Sequence, residues 1–396
     1  MEIIKTGLDI LEHSKEIQSK IKGNVAYLCN SASVNSKLVH GIYILKKIFG
    51  FRFKKIFGPQ HGFSTNLQDN MIETPHSIHP YFKIPIYSLY SETRKPNREM
   101  LEDIDCMIID LQDVGTRIYT YIWTMVLTMQ ECAKNGIKVI VLDRPNPVNG
   151  INIEGNILEP EFFSFVGMYE FPMRHGMTIA EISNWANKIE GVNCELEVVC
   201  MKNWQRDMYF TDTGLPYVLP SPNLPTPKGC IVYSGSVLFE GTNMSEGRGT
   251  TRSLEIIGSP QLEPWKQLSY LNNELEKAKL TGVTLRPLIF APTFDKFKGQ
   301  ACGGYQIHIN NLENFKPWAT GQFLMQKFFQ LLKSDDFWNT EPYEYTKGAL
   351  PIDWINGSAK IRHWIENNNK IDQLYKIENT NMTEFLKKRK EILLYS

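Results

Sequence analysis

Two kinds of hydrophobic pattern alternate along the first half of the chain. Short apolar runs that end in polar residues are followed by stretches in which an apolar residue recurs every three or four positions. The short runs are typical of buried strands, and the longer spacing is typical of helices that pack against them. Strand and helix in alternation predict a parallel sheet with helices on both faces. We predict strands over residues 24–30, 53–57, 84–89, 103–111, 138–142 and 195–202.

Three helices of this half have recognisable ends or stripes. An apolar stripe runs from Leu38 to Phe49, and Gly50 ends it. A second stripe covers residues 118–132 and ends near Gly136. Thr178 and Glu181 have the spacing of a capping box, which predicts the start of a third helix.

The pattern changes after residues 215–228, a segment with five prolines that we predict to be an ordered loop. We place the domain boundary just after it, which divides the chain into residues 1–229 and 230–396. The second part mixes short apolar runs typical of strands with the spacing typical of helices. This mixture predicts a smaller α+β domain after the α/β domain. Its predicted strands cover 284–290 and 304–309, and its predicted helices lie near 263–279, 321–333 and 383–394.

Charge and composition exclude several classes of partner. Lys plus Arg and Asp plus Glu both number 43, so the formal net charge is zero. A general nucleic-acid or anionic-membrane surface needs a basic excess, and no apolar run is long enough to span a bilayer. The seven cysteines include no CxxC pair and no zinc spacing. No signal-peptide pattern is present, so we expect a cytoplasmic protein, or a periplasmic or secreted one if a signal peptide was removed.

Polar side chains gather where the predicted strands end, which is where open α/β sheets place their ligands. His61 follows the second strand in a glycine-rich turn, where a backbone can approach a ligand closely. It could equally be a turn histidine without a chemical role. Asp110 and Asp113 follow the fourth strand and could form an acid/base pair or ligate a metal. Asp113 could instead be a charge at a helix N-terminus.

Further candidates lie in the polar segments that follow. Arg117, Tyr119 and Tyr121 could hold a polar ligand, although helical spacing could turn one tyrosine into the core. Arg144 lies in a loop stiffened by two Xaa-Pro units. Residues 240–251 contain three glycines, two carboxylates and an arginine, which indicates either a ligand-binding loop or an Ω-loop held by its own hydrogen bonds. No glycine there matches a nucleotide-binding motif.

Six stretches carry the most specific pattern in the chain. They are Phe57-Gly-Pro-Gln-His-Gly-Phe63, Ile109-Asp-Leu-Gln-Asp-Val-Gly-Thr-Arg-Ile-Tyr-Thr-Tyr121, Val141-Leu-Asp-Arg-Pro-Asn-Pro-Val-Asn-Gly150, His175-Gly-Met-Thr178, Pro220-Ser-Pro-Asn-Leu-Pro-Thr226 and Glu240-Gly-Thr-Asn-Met-Ser-Glu-Gly-Arg-Gly-Thr250. Together they resemble the NamZ family of exo-β-N-acetylmuramidases. The resemblance implies a Rossmann-like N-terminal domain without a dinucleotide, a smaller C-terminal domain, and no cofactor. It also implies release of N-acetylmuramic acid (MurNAc) from the non-reducing end of peptidoglycan-derived saccharides.

The resemblance places the family's catalytic glutamate, in a Gly-Pro-Glu-His-Gly motif, at position 60. This chain has Gln60 there, and a glutamine cannot donate a proton as a carboxylic acid does. The nearest acids in sequence are Asp69 and Glu73, on a polar loop that could fold back over the strand end. The other predicted catalytic residues are His61, Asp113 and Glu240.

MurNAc differs from N-acetylglucosamine (GlcNAc) by a lactyl carboxylate. An arginine can bind a carboxylate through two parallel hydrogen bonds, which a lysine cannot form. Arg248 is the first choice for this contact. An asparagine or glutamine could orient the acetamido group for substrate-assisted attack. The predicted substrate-binding residues are Gln60, Asp110, Arg117, Tyr119, Tyr121, Arg144, Asn146, His175, Asn223, Asn243, Glu246 and Arg248.

Two hypotheses from other classes remain open at this point. A muramyl-sugar-binding protein that lacks catalysis because of Gln60 would show affinity without turnover. A metal-dependent hydrolase would use His61, Asp110, Asp113 and His175, and chelation would abolish its activity. We predict a metal-free site, because the chain has no HExxH signature and because arginines lie close to several carboxylates.

Overall fold

The computed structural model describes residues 3–69 and 71–396. In that part of the chain the larger of two sheets has seven strands: β1 (Val25–Cys29), β2 (Phe53–Gly58), β3 (Ser77–Ile78), β4 (Pro85–Ser88), β5 (Cys106–Asp110), β6 (Lys138–Leu142) and β7 (Leu196–Val199). Their order is β3-β4-β2-β1-β5-β6-β7, and every neighbouring pair is parallel except β3 with β4. The predicted parallel sheet is confirmed, and β3, a two-residue exposed edge strand, was not predicted.

The central strands are buried on both faces. Along β5, Met107 and Ile109 join one apolar cluster, while Cys106 and Ile108 join the other, since successive side chains of a strand point to opposite faces. The helices of this domain are α1 (Gly7–His13), α2 (Lys15–Lys20), α3 (Gly41–Phe49), α4 (Arg98–Leu101), α5 (Tyr121–Lys134) and α6 (Ile179–Lys188). Side chains of α5 and α6 pack in the first cluster, and those of α1 and α3 in the second. Helices therefore cover both faces, as predicted.

The predicted capping box at the start of α6 is confirmed. The Thr178 hydroxyl accepts from the backbone N–H of Glu181, and the Glu181 carboxylate accepts from the backbone N–H of Thr178. The predicted stop of α3 at Gly50 is also confirmed, because Gly50 is its C-cap residue and has a positive φ of 58°. Only glycine enters that backbone region without steric cost.

The second domain contains a smaller antiparallel sheet of β8 (Ile256–Ser259), β9 (Val283–Phe290) and β10 (Cys302–Ile309), in the order β8-β10-β9. Its helices are α7 (Pro227–Ser236), α8 (Pro264–Lys277), α9 (Pro317–Leu332), α10 (Pro351–Asn356), α11 (Ala359–Glu366), α12 (Ile371–Asn379) and α13 (Met382–Lys390). The predicted α+β composition is confirmed. The sequence patterns missed α7, β8 and the short helices α10 to α12.

The two domains share packing and polar contacts. The apolar cluster that contains Ile109 of β5 also contains Trp318 of α9. The end of the chain returns to the first domain, where the Tyr395 hydroxyl donates to Asp143 Oδ2 at 2.5 Å. The boundary at residue 229 stays a prediction, and the last residues pack against the first part of the chain.

Candidate active site

A pocket of about 410 Å³ lies where the loops after β2 and β5 face the second domain. Polar parallel-strand ends meet at this edge of the sheet, which is the usual ligand position in such folds. Each of the two domains and the proline-rich loop between them supplies polar lining residues, which are Gln60, His61, Tyr119, Thr120, Ser221, Asn223, Tyr233, Glu240, Arg248, Tyr343 and Glu344.

Gln60 reaches across this pocket to Glu344. Its amide nitrogen donates to Glu344 Oε1 at 3.0 Å, and its amide oxygen accepts from the Thr120 hydroxyl at 2.6 Å. Both ends of the amide are therefore fixed. The Tyr90 hydroxyl lies 3.0 Å from Oε1 and 2.8 Å from Oε2 of the same carboxyl.

Glu344 belongs to a loop between α9 and α10 that extends over the first domain. Glu344 and Tyr345 both have positive φ angles, 46° and 63°, which are uncommon for residues with side chains. Only 5% of Glu344 is exposed. Burial raises the pKa of this carboxyl above its usual value, and Glu240 adds to the effect, while hydrogen bonds from Tyr90 and Gln60 oppose it.

Glu240, the second buried carboxylate of the pocket, has charged partners. Arg248 Nη2 lies 2.5 Å from Glu240 Oε1, and the Tyr343 hydroxyl donates to Oε2 at 2.8 Å. Arg248 Nε lies 3.1 Å from Glu246, whose carboxylate also accepts from Lys296 at 2.9 Å. The segment that contains Glu240 is thus held by its own ion pairs. Arg248 Nη1 is buried and has no hydrogen-bond partner among the described residues.

His61 forms one wall of the pocket as a neutral imidazole. Its Nδ1 lies 2.8 Å from the carbonyl oxygen of Leu67, to which it donates, so Nε2 accepts from the Ser221 hydroxyl at 3.2 Å. Burial lowers the pKa of His61 to about 4. Nearby, Asn223 donates to the backbone of Gln68, and within residues 3–69 and 71–396 its buried Oδ1 has no partner.

Three of the predicted site residues form structural ion pairs in the interior. Arg144 and Asp110 are paired through Nε at 2.5 Å and Nη2 at 2.9 Å, and the Tyr27 hydroxyl also donates to Asp110. Glu246 is 1% exposed and paired with both cations described above. Among the described lining residues of the pocket, none of these three appears. These ion pairs hold the strand ends and the loop, and the predicted role of the three residues in binding substrate stays a prediction.

Five further predicted site residues are fully or almost fully buried, and their predicted roles, catalytic for Asp113 and substrate-binding for the others, stay predictions. The guanidinium of Arg117 donates to the carbonyl oxygens of Phe171 and Ile355 and so joins the two domains. Burial lowers its pKa to about 9. The other four are Tyr121, which contacts backbone carbonyls, Asn146, which caps a turn, and the pair Asp113 and His175, whose Oδ2 and Nε2 atoms are 3.3 Å apart.

The two predicted replacements for the missing acid do not point into the pocket. Neither Asp69 nor Glu73 occurs among its described lining residues. Half of the Glu73 side chain is exposed, and it contacts Arg94 at 3.6 Å and the Tyr345 hydroxyl at 3.2 Å. The predicted substrate residue Asn243 lies on a different surface, where its amide donates to the Asp336 carbonyl at 2.5 Å.

The sequence patterns missed Glu344, Tyr343 and Tyr90. Glu344 lies on an irregular loop that follows no strand, so no periodicity marked it. A signal was present in the two aromatic neighbours of this acid, since a carboxylate flanked by tyrosines is suited to a partly apolar pocket.

The described part of the chain contains neither a cluster of metal ligands nor a membrane-spanning helix. Within residues 3–69 and 71–396, no three His, Cys, Asp or Glu side chains are grouped as metal ligands would be. In those ranges no helix combines the length and the apolar character needed to cross a bilayer.

Comparisons with known proteins agree with this architecture. The family description "Exo-beta-N-acetylmuramidase NamZ" matches residues 25–228 with its N-terminal part and residues 231–395 with its C-terminal part. The chain is 39% identical to the peptidoglycan β-N-acetylmuramidase NamZ of Bacillus subtilis over 395 residues, which cover 99% of this chain and 91% of that protein.

Two solved structures of DUF1343 family proteins from Bacteroides fragilis share the fold. One has a TM-score of 0.88 and 30% sequence identity, and covers 99% of both chains. The other has a TM-score of 0.75 and 27% identity, and covers 100% of this chain and 99% of its own. From the matches along both of its domains, the chain belongs to the NamZ family of exo-β-N-acetylmuramidases.

Proposed function

We propose that the protein is a glycosidase that releases MurNAc from the non-reducing ends of peptidoglycan fragments. The observation that carries this proposal is that two buried carboxyl groups, Glu240 and Glu344, line one small pocket. Glycoside hydrolysis ordinarily uses two carboxyl groups in different protonation states. The relative named as a peptidoglycan β-N-acetylmuramidase supports the same chemistry.

The environments of the two carboxyl groups differ. Glu240 is ion-paired with Arg248. The side-chain donors that the structure shows for Glu344 are neutral groups, the Gln60 amide and the Tyr90 hydroxyl, and burial favours its protonated form.

Two unsatisfied groups in the pocket fit the distinctive parts of MurNAc. Arg248 Nη1 is a buried donor without a partner in the described chain, and it suits the lactyl carboxylate. The Oδ1 atom of Asn223 is a buried acceptor that likewise has no partner in the described chain, and it suits the N–H of the acetamido group.

The test is hydrolysis of the disaccharide MurNAc-GlcNAc, with GlcNAc-GlcNAc as the matched substrate that lacks the lactyl group. We expect free MurNAc from the first and much slower cleavage of the second. Binding of MurNAc-GlcNAc without release of MurNAc would overturn the proposal in favour of a sugar-binding protein. Activity in Gln60→Glu that the parent lacks would further support the sugar-binding alternative for the parent.

A further inference from the structure

Gln60 cannot supply the proton that a departing sugar needs, so the acid must come from elsewhere in the pocket. The amide of Gln60 donates to one carboxyl group, that of Glu344. We propose that Glu344, on the loop of the second domain, is the general acid, and that Gln60 is the residue that positions it. This inference rests on the glycosidase activity proposed above.

Gln60 is held at both ends of its amide. The Thr120 hydroxyl donates to its amide oxygen at 2.6 Å, and its amide nitrogen faces Glu344. An amide N–H donates and cannot take up the carboxyl proton. Gln60 therefore holds Glu344 Oε1 without competing for the proton, which remains available on the carboxyl group for the substrate.

Burial favours a protonated carboxyl group at Glu344. Tyr90 and Arg94 face it from the first domain, and Glu240 faces it from the second. Burial and, to a smaller extent, the Glu240 charge raise its pKa, and the rise outweighs the opposing hydrogen bonds from Tyr90 and Gln60 and the opposing charge of Arg94. The raised pKa is the property that a general acid needs to carry its proton near neutral pH.

The other carboxyl groups are less suited to this role. The side-chain donors to Glu240 include a cation, Arg248, besides the Tyr343 hydroxyl. Those of Glu344 are the neutral Gln60 amide and Tyr90 hydroxyl. Asp69 and Glu73 are not among the described residues around the pocket.

The proposed step is a proton transfer coupled to bond cleavage. The bond between the anomeric carbon of MurNAc and the glycosidic oxygen breaks, and its electron pair stays on that oxygen. Glu344 gives its proton to this oxygen, so the next sugar leaves with a hydroxyl group. Water supplies the hydroxyl group that MurNAc gains at the anomeric carbon, and the proton released from that water restores the acid form of Glu344.

The test compares two leaving groups. MurNAc-GlcNAc has a basic sugar alkoxide that must be protonated, whereas 4-nitrophenyl β-N-acetylmuramide releases a weakly basic phenolate that leaves without an acid. Glu344→Gln should lower kcat/KM about a hundredfold or more on the disaccharide, and by less than about tenfold on the aryl substrate. Glu341→Gln, the same chemical change at an exposed position of the same loop, should leave both rates unchanged.

Equal losses on the two substrates, or no loss on either, would overturn the role of Glu344. A selective loss in Glu73→Gln would transfer the role to that residue. If Glu344→Gln does not fold, Gln60→Met and Tyr90→Phe test the same point, because each removes one hydrogen bond to Glu344 and leaves its carboxyl group in place. Each should lower kcat on the disaccharide more than on the aryl substrate, with little change in KM, and equal effects on both substrates would contradict the inference.

The result for the unmodified protein separates this inference from the proposed function. If the unmodified protein releases MurNAc from neither substrate, the glycosidase proposal fails and the role of Glu344 fails with it. If it releases MurNAc from both and Glu344→Gln does so equally well, only the role of Glu344 fails.

Discussion

The amide nitrogen of Gln60 donates to Oε1 of Glu344 over 3.0 Å, between residues 284 positions apart in the chain. This hydrogen bond connects the carboxyl end of β2 with a loop of the second domain. It places a carboxyl group directly beside the position at which the family motif has a glutamate.

In the pH profile of kcat, Gln60→Glu should move the alkaline limb to higher pH by about one pH unit or more. Two carboxyl groups about 3 Å apart cannot both ionise easily, so the pair keeps one proton to a higher pH than a single acid does. The measurement is kcat on MurNAc-GlcNAc between pH 4 and 9. Gln68→Glu, which adds the same group at an exposed position, is the control. An alkaline limb at the parental pH would contradict the proximity of Glu344 to the reacting proton.

Arg248→Lys should weaken the preference for muramyl over glucosaminyl substrates by about 1 to 3 kcal/mol, the range for a hydrogen bond to a charged group. A lysine keeps the positive charge beside Glu240 but lacks the planar guanidinium that places a further donor, Nη1, towards the ligand. The measurement is the ratio of kcat/KM for MurNAc-GlcNAc and GlcNAc-GlcNAc. The control is Arg252→Lys, a partly exposed neighbour paired with Glu255 at 3.5 Å. An unchanged ratio in a folded protein would remove Arg248 from this role.

His61 should make the protein less stable in acid. Its pKa is about 4 in the folded protein and about 6.5 when unfolded. Its contribution to the free energy of unfolding is therefore complete above pH 6.5 and is lost as the pH falls towards 4, because the unfolded chain then binds the proton more tightly. The expected loss between pH 7 and 4.5 is on the order of 2 kcal/mol. The backbone of His61 has a positive φ, which asparagine tolerates. His61→Asn should therefore reduce the pH dependence of the free energy of unfolding by that amount, measured by urea unfolding. His363→Asn, at an exposed histidine, should retain the parental pH dependence.

Chelators should leave the activity unchanged. Of the two carboxyl groups in the pocket, Glu240 is paired with Arg248, and the side-chain donors to Glu344 are neutral groups. Activity measured before and after treatment with EDTA checks this. Loss of turnover that zinc or magnesium restores would favour the metal-dependent hydrolase.

The fold followed from local patterns, and the site followed from them only in part. Ile108 and its neighbours form a continuous apolar run, so β5 could be predicted without any long-range information. Arg117 was predicted to bind a ligand, and the structure shows its guanidinium on buried carbonyl oxygens, a difference that a sequence alone does not reveal. Glu344 was missed because its position depends on how a loop without periodicity packs against a residue 284 positions earlier.

The apolar cluster common to both domains, which contains Val139 and Trp318, also determines how the protein can come apart. A chain cut after residue 229 would expose the surface that Trp318 and its neighbours cover, and exposed apolar surfaces of that kind promote association. Both sheets should melt in a single cooperative transition, because side chains of both belong to this shared cluster. A destabilising substitution beneath either sheet would therefore lower the fraction of molecules with a complete pocket, even when it lies far from every pocket residue.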